Sequence, residues 1–415
     1  MENNIEIMAP VGSYESLTTA IKSGAGSVYF GIEKLNMRSR SSSNFTTEDL
    51  KQISKICNEN NVNSYITLNT IIFDDDIELM KKIVDSAKKN NISAIIASDI
   101  SVMEYAKSKK VEVHISTQCN VTNYETVKFY SQYADVVVLA RELSLKQISY
   151  ISNKIKEENL KGPSGKLVKI ELFAHGALCM AISGKCYLSL HTQNFSANRG
   201  ACLQPCRRSY LIYDKEEKVE LEMDDGYLLS PKDLCTISYL DKILKSGVSV
   251  LKIEGRGRSP EYVKAVVETY KEAINAIYNK TYNKENVEKW EEKLKSVFNR
   301  NFWTGYYLGE NIDEWATRSY GNKATKTKVY VAKCTNYFSN LNVAEFLPEA
   351  GGINIGDEVL IIGPTTGVVE YKITEMRVDD KKVKKTTKGE PFSIKINETL
   401  RRSDKLYKVV YNIED

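Results

Sequence analysis

Eight short apolar runs recur along the first two thirds of the chain, at 5–8, 27–30, 64–68, 94–97, 111–115, 135–139, 169–173 and 249–253. Each is continuous rather than alternating, the pattern of strands covered on both faces in a parallel sheet. Between them lie segments with helical spacing, such as 14–23, 49–58, 76–90 and 123–133, and Gly24 and Gly26 punctuate the end of the first. Eight strands with intervening helices count out a (β/α)8 barrel. An open doubly wound sheet is the alternative, but no Gly-x-Gly-x-x-Gly follows the first run, so its dinucleotide-binding form lacks its signature.

The seventh run breaks the rhythm, because about 75 residues separate it from the eighth. A long insertion after a barrel strand lies at the C-terminal face, where such barrels carry their chemistry. Beyond the eighth run, 260–278 and 284–298 read as helices. From residue 326 the period changes to short alternating segments between turn signals such as Gly363-Pro364 and Asp379-Asp380. The expected domains are a barrel over 1–283 with an insertion at 174–247, a helical connector over 284–325, and a small C-terminal β-barrel domain over 326–415.

Composition narrows the chemistry. Lys plus Arg number 58 against 54 Asp plus Glu, and a net charge of +4 is too small to announce a nucleic-acid binder by itself. The basic run Lys381-Lys382-Val383-Lys384-Lys385 reads as a solvated hairpin or as a local RNA contact. The start Met1-Glu2-Asn3-Asn4 has no signal-peptide pattern and no run is long enough to span a bilayer, so a cytoplasmic protein with no membrane partner is expected. Thiols stay reduced in that compartment. Five of the eight cysteines fall between Cys179 and Cys235: Cys179 and Cys186 in a C-x6-C pair, Cys202 and Cys206 in a C-x3-C pair, then Cys235. Both pairs are wider than the C-x2-C of zinc sites, so an iron-sulfur cluster held by four thiolates from varied loops fits better. Cys57, Cys119 and Cys334 read as small buried hydrophobes.

The strand ends nominate Ser13, Asn69, Asp99, Gln118, Arg141, Glu142, His175, Glu254, Arg256 and Arg258. Arginines on different strands facing one cavity suit a carboxylate or phosphate, while the alternative is that Arg141-Glu142 and Glu254-Arg256 neutralise one another. Arg256, just beyond the eighth strand, is expected at the rim with little to pack against. His175 stands beside the cysteine segment, and His114 lies inside a strand. No Ser-His-Asp order, His-Glu-x-x-His or Gly-x-Ser-x-Gly equips a standard hydrolase.

Two stretches carry a resemblance: Glu171-Leu172-Phe173-Ala174-His175-Gly176-Ala177-Leu178-Cys179 and Gly184-Lys185-Cys186-Tyr187-Leu188-Ser189. With Met8-Ala9-Pro10-Val11-Gly12-Ser13, Asn36-Met37-Arg38 and Lys252-Ile253-Glu254-Gly255-Arg256, they resemble the signature of family U32, the collagenase-like peptidases. The resemblance implies either proteolysis or, by its better understood branch, oxygen-independent hydroxylation by iron-sulfur proteins. That branch acts on tRNA wobble uridine, a ribosomal RNA cytidine or the ubiquinone ring, and its RNA-directed members use prephenate as oxygen source. It further implies a 4Fe-4S cluster on Cys179, Cys186, Cys202 and either Cys206 or Cys235. Cys206 is favoured because C-x3-C brings two thiolates together without further loop ordering. Arg38, Arg141, Arg256 and Arg258 are then the candidates for the small dicarboxylate, and His175, Glu254 and Gln118 for catalysis. The C-terminal domain favours tRNA or ribosomal RNA over a quinone. A peptidase and a non-catalytic, metal-bound RNA-binding module are the competing readings.

Overall fold

The computed structural model describes residues 5–40, 44–221, 227, 229–309, 316 and 321–412. All eight apolar runs form strands: β1 (Glu6–Pro10), β2 (Ser27–Gly31), β3 (Asn63–Leu68), β4 (Ala94–Ala97), β5 (Val113–Ile115), β6 (Val136–Val138), β7 (Lys169–Gly176) and, eighth in the barrel, β11 (Val250–Ile253). They pair in parallel in that order and β11 pairs with both β7 and β1, so the sheet closes. Helices α1 (Tyr14–Lys22), α2 (Leu50–Glu59), α3 (Ile77–Lys89), α4 (Ile100–Ser108), α5 (Tyr124–Tyr130) and α6 (Leu145–Glu157) cover its outside. Met8, Tyr29, Tyr65, Ile96, Val136 and Val250 fill the interior as a cluster separate from the apolar layer under the helices. The interior also holds a buried ion pair, Lys252 Nζ to Glu171 Oε1 at 2.8 Å.

The insertion contains the short helix α7 (Leu188–Gln193), a hairpin of β8 (Ile212–Asp214) and β9 (Val219–Leu221), the strand β10 (Asp233–Cys235) and helix α8 (Leu240–Lys245). Strand β7 runs three residues past its apolar core because its end gains a second partner: β10 pairs with it antiparallel, Leu234 opposite Gly176 and Cys235 opposite His175. After helices α9 (Pro260–Tyr278) and α10 (Lys284–Lys295), β12 (Phe302–Trp303) joins β10 in parallel. These additions thicken one side of the barrel mouth.

The C-terminal segment is an antiparallel sheet of β13 (Lys326–Phe338), β14 (Val343–Pro348), β15 (Glu358–Gly363), β16 (Gly367–Lys372), β17 (Met376–Val378), β18 (Lys381–Val383), β19 (Phe392–Lys395) and β20 (Lys405–Tyr411). Its order is β16-β15-β20-β13-β14-β19-β17-β18, wrapped around one core that includes Phe346, Phe392, Ile361 and Leu406. It rests on the barrel through α1 and α9: Lys22 Nζ donates to the Thr366 carbonyl at 2.8 Å, and Lys328 Nζ pairs with Glu261 at 2.7 Å.

One hydroxyl ties α9 to the mouth strands. Tyr270 donates to the Ala174 carbonyl at 2.7 Å and accepts from the Thr236 amide at 3.1 Å, all three groups being buried. The Thr236 amide also donates to the Ala174 carbonyl at 3.2 Å, so Tyr270→Phe leaves the two with that longer bond alone, a loss of about 1 kcal/mol in local stability. Faster amide exchange at Thr236 is the expected readout, and unchanged exchange would show that the hydroxyl contributes nothing.

Candidate functional site

The mouth of the barrel holds a cavity of about 180 Å³. Its floor is the strand ends, with Tyr29, Thr67, Asn69, Ser116, Phe173 and Lys252, and its wall is the insertion, with Cys179, Cys186, Cys202, Cys206 and Arg207. Arg38, Gln118, Arg141, Glu254 and Arg256 line it as well. The structure therefore brings together four of the clustered cysteines with five of the ten residues nominated by the strand ends, Asn69, Gln118, Arg141, Glu254 and Arg256.

Electrostatics organise the floor. Glu254 accepts from Arg38 Nη2 at 2.9 Å and from the Tyr29 hydroxyl at 3.2 Å. Burial opposes its ionisation, yet Arg38, Arg141 and Arg256 around it hold its carboxyl down at about 2. At neutral pH it anchors guanidinium groups and is too weak a base to take protons. Arg256 is not the loosely packed rim residue expected from sequence: it is buried and its Nη1 donates to Asn36 Oδ1 at 3.0 Å and Thr67 Oγ1 at 2.8 Å. That burial draws its guanidinium down to about 10. Gly31 makes the space, since a Cβ there would collide with Arg256 Nη1 and the Asn36 side chain. Arg141 sits over the Phe173 ring, 3.8 Å from its centre, donates Nη1 to the Ala177 carbonyl at 3.1 Å, and leaves its buried Nε without a hydrogen-bond partner among the described residues. Gln118 Oε1 accepts from Asn69 Nδ2 at 3.0 Å and from the Ser116 hydroxyl.

Six nominated residues lie elsewhere. His175 is 1% exposed, enclosed by Tyr262, Tyr270 and Phe302, and its side chain is absent from the cavity lining. Burial, with Arg258 nearby, pushes its imidazole down to about 3, so it is neutral at pH 7. Arg258 faces an adjoining pocket with Arg300. Cys235 is buried on β10 in the apolar core, away from the other four thiols. Ser13 and Asp99 cap α1 and α4 by accepting from the amides of Ser16 at 3.3 Å and Ser101 at 2.9 Å, and Glu142 points to solvent.

Cys179, Cys186 and Cys202 stand on irregular segments flanking α7, and Cys206 stands in the 3-10 turn Pro205–Arg207. Burial pushes the Cys206 thiol up, Arg207 draws it down, and Cys179, Cys202 and Cys186 push it up again, so the four lie within each other's field. Among the described residues no three His, Cys, Asp or Glu side chains already stand as a closed metal site. The donor chemistry nevertheless suits an iron-sulfur cluster: four thiols ring one cavity, on loops without a rigid ladder, beside cations that favour thiolates. Sequence reasoning missed Arg207, which donates to Ser230 Oγ at 3.0 Å and the Pro231 carbonyl at 2.9 Å, and Lys252. A lone lysine inside an apolar run was the available signal for the second.

The model of peptidase family U32 matches residues 12–317. This chain belongs to family U32. It is 57% identical over 406 residues, 98% of each chain, to a protein of Porphyromonas gingivalis named collagenase. It is 32% identical over 367 residues, 86% of this chain and 83% of the relative, to tRNA hydroxylation protein P1 of Bacillus subtilis. It is also 32% identical over 276 residues to the 23S rRNA 5-hydroxycytidine C2501 synthase of Escherichia coli, covering 66% of this chain and 40% of that protein. Relatives of this U32 protein thus carry enzyme names of two kinds. Among its described residues no helix is long and apolar enough to cross a membrane.

The depressed Glu254 carboxyl has a measurable consequence. Its folded value of about 2 lies below the ordinary value of about 4.3, so its stabilisation is complete above that value and is lost as pH falls toward 2. The thermal midpoint of Glu254→Gln should lie below that of the wild type at pH 7, and the gap should close on acidification. His175 destabilises both proteins alike in acid and cancels in the difference. A gap that stays constant from pH 7 to 3 would show that the ion pair is idle.

Proposed function

We propose that this protein is an RNA hydroxylase that works without molecular oxygen, carries a 4Fe-4S cluster on Cys179, Cys186, Cys202 and Cys206, and takes prephenate as oxygen donor to form 5-hydroxyuridine at the tRNA wobble position. The observation that carries the reading is the gathering of four thiols and several guanidinium groups around one cavity at the barrel mouth. The named functions of the tRNA and rRNA relatives support an RNA substrate.

A cluster bound there would supply one-electron chemistry next to the substrate. The chain's own residues supply the rest. Arg38, Arg141 and Arg256 offer forked donors to the carboxylates of a small dicarboxylate, and Glu254 with Tyr29 fixes the first of them in place. Arg141, over the Phe173 ring with an unspent Nε, has a donor ready for a ligand. Met37, Phe173 and Leu178 contribute apolar wall that limits water. Gln118, Asn69 and Ser116 form a neutral hydrogen-bonding edge able to orient hydroxyl or amide groups.

The name of the 57% identical relative favours a peptidase instead. Against it, His175 is sealed among aromatic rings, and a thiol protease built on Cys179 would leave Cys186, Cys202 and Cys206 without a role.

Protein purified without oxygen should be brown and hold about four irons per chain. Cys179→Ala, Cys186→Ala, Cys202→Ala and Cys206→Ala should each lose the colour, while Cys235→Ala should keep it, because that thiol lies in the apolar core. Full iron in any of the first four variants, or stoichiometric zinc in the wild type, would contradict the assignment. The function is tested by nucleoside mass spectrometry of RNA from a deletion strain. Loss of 5-hydroxyuridine and its derivatives from tRNA, not restored by Cys202→Ala, is expected. Unaltered nucleosides together with collagen cleavage proportional to enzyme would restore the peptidase.

A further inference from the structure

A second, smaller pocket of about 100 Å³ adjoins the thiol cavity. It lies where Ala177, after β7, meets the turn Gly255-Arg256-Gly257-Arg258 after β11, and Arg300 reaches in from the segment before β12. Arg38, Glu254 and Arg256 line both spaces and form the wall between them. It is the smaller of the two adjoining spaces, about 100 Å³ against about 180 Å³.

Its charge is not balanced. Four guanidinium groups, Arg38, Arg256, Arg258 and Arg300, face two carboxylates. Glu254 takes Arg38, and Asp233, 2% exposed, is shared at 3.4 Å by Arg300 and at 3.9 Å by Arg258. Among the described residues Arg256 donates to neutral acceptors, Asn36 and Thr67, and Glu254 acts on it through space. Arg258 and Arg300 both pack on the Phe298 ring, at 3.5 and 5.1 Å, with side chains 16% and 11% exposed. Asp233 offsets only one of these two charges, so a net positive charge is left in a poorly solvated place, where a further anion would stabilise it. Burial draws the Arg258 guanidinium down and Arg300 adds to that, while Asp233, Tyr262 and Glu254 pull it up.

We propose that this pocket is a phosphate subsite, formed by Arg258 and Arg300 with the shared wall of Arg38 and Arg256. Donors converging from three separate chain segments suit a tetrahedral oxyanion, whereas a planar carboxylate is satisfied by one fork. The backbone of the RNA is the source of that phosphate, a step that rests on the function proposed above. Seated there, a phosphodiester would lie one wall away from the thiol cavity and set which nucleotide enters it.

The test uses the iron-loaded full chain, titrated calorimetrically with inorganic phosphate and separately with a synthetic anticodon stem-loop RNA. Wild type should bind phosphate, Arg300→Gln should weaken it at least tenfold with iron content unchanged, and Arg258→Lys, which keeps the charge but loses the fork, should weaken it too. RNA affinity should fall in the same variants with a shallower salt dependence, by roughly one unit of slope. No phosphate binding by wild type, or equal binding by a folded Arg300→Gln and Arg258→Lys, overturns the subsite. Phosphate binding that is lost in the variants while RNA neither competes nor binds upholds the subsite, assigns it to a free phosphate, and removes the RNA reading instead.

Discussion

The whole mouth depends on burying guanidinium groups around Glu254. A cation taken out of water is costly unless it is paired and hydrogen-bonded, and here one carboxylate serves Arg38 directly while lying in the field of Arg141 and Arg256. The barrel meets that demand with small residues and neutral acceptors: Gly31 clears space for Arg256, and Asn36 and Thr67 accept from it. Deeper in the barrel, Lys252 and Glu171 repeat the device as a closed pair. What remains after these pairings is cationic, and the proposal of an anionic ligand rests on that surplus.

Much of the scaffold was legible because the physics is local. A strand buried on both faces must be apolar throughout, so eight runs could be counted and their order inferred. The extra strands β10 and β12 were not legible, having only three and two residues and no run of their own. Their effect reached into what was predicted, since pairing with β10 carries β7 on to Gly176 and seals His175 inside. Spacing favoured Cys206 without excluding Cys235, because both lie within the same insertion. Tertiary placement separates them, with Cys206 on the cavity and Cys235 in the core. The burial of Arg256 was equally invisible, for its partners Asn36 and Thr67 come from distant parts of the chain.

Two kinds of enzyme name surround this sequence, and overall identity leans toward the collagenase. Site chemistry leans the other way. Proteolysis by a thiol or hydroxyl needs a nucleophile beside an accessible base, and His175, 1% exposed and drawn down to about 3, is inaccessible and a poor base. Four thiols around a cationic cavity, in contrast, have a common purpose only if they hold something together.

The most direct test is a reconstituted reaction under nitrogen, with iron-loaded protein, tRNA from a strain lacking the gene, and prephenate. Formation of 5-hydroxyuridine in proportion to time and enzyme, abolished by omitting prephenate or by Arg141→Ala in a protein of unchanged iron content, is the expected result. No modified uridine from a preparation with a full cluster, alongside hydrolysis of gelatin by the same preparation, would contradict it.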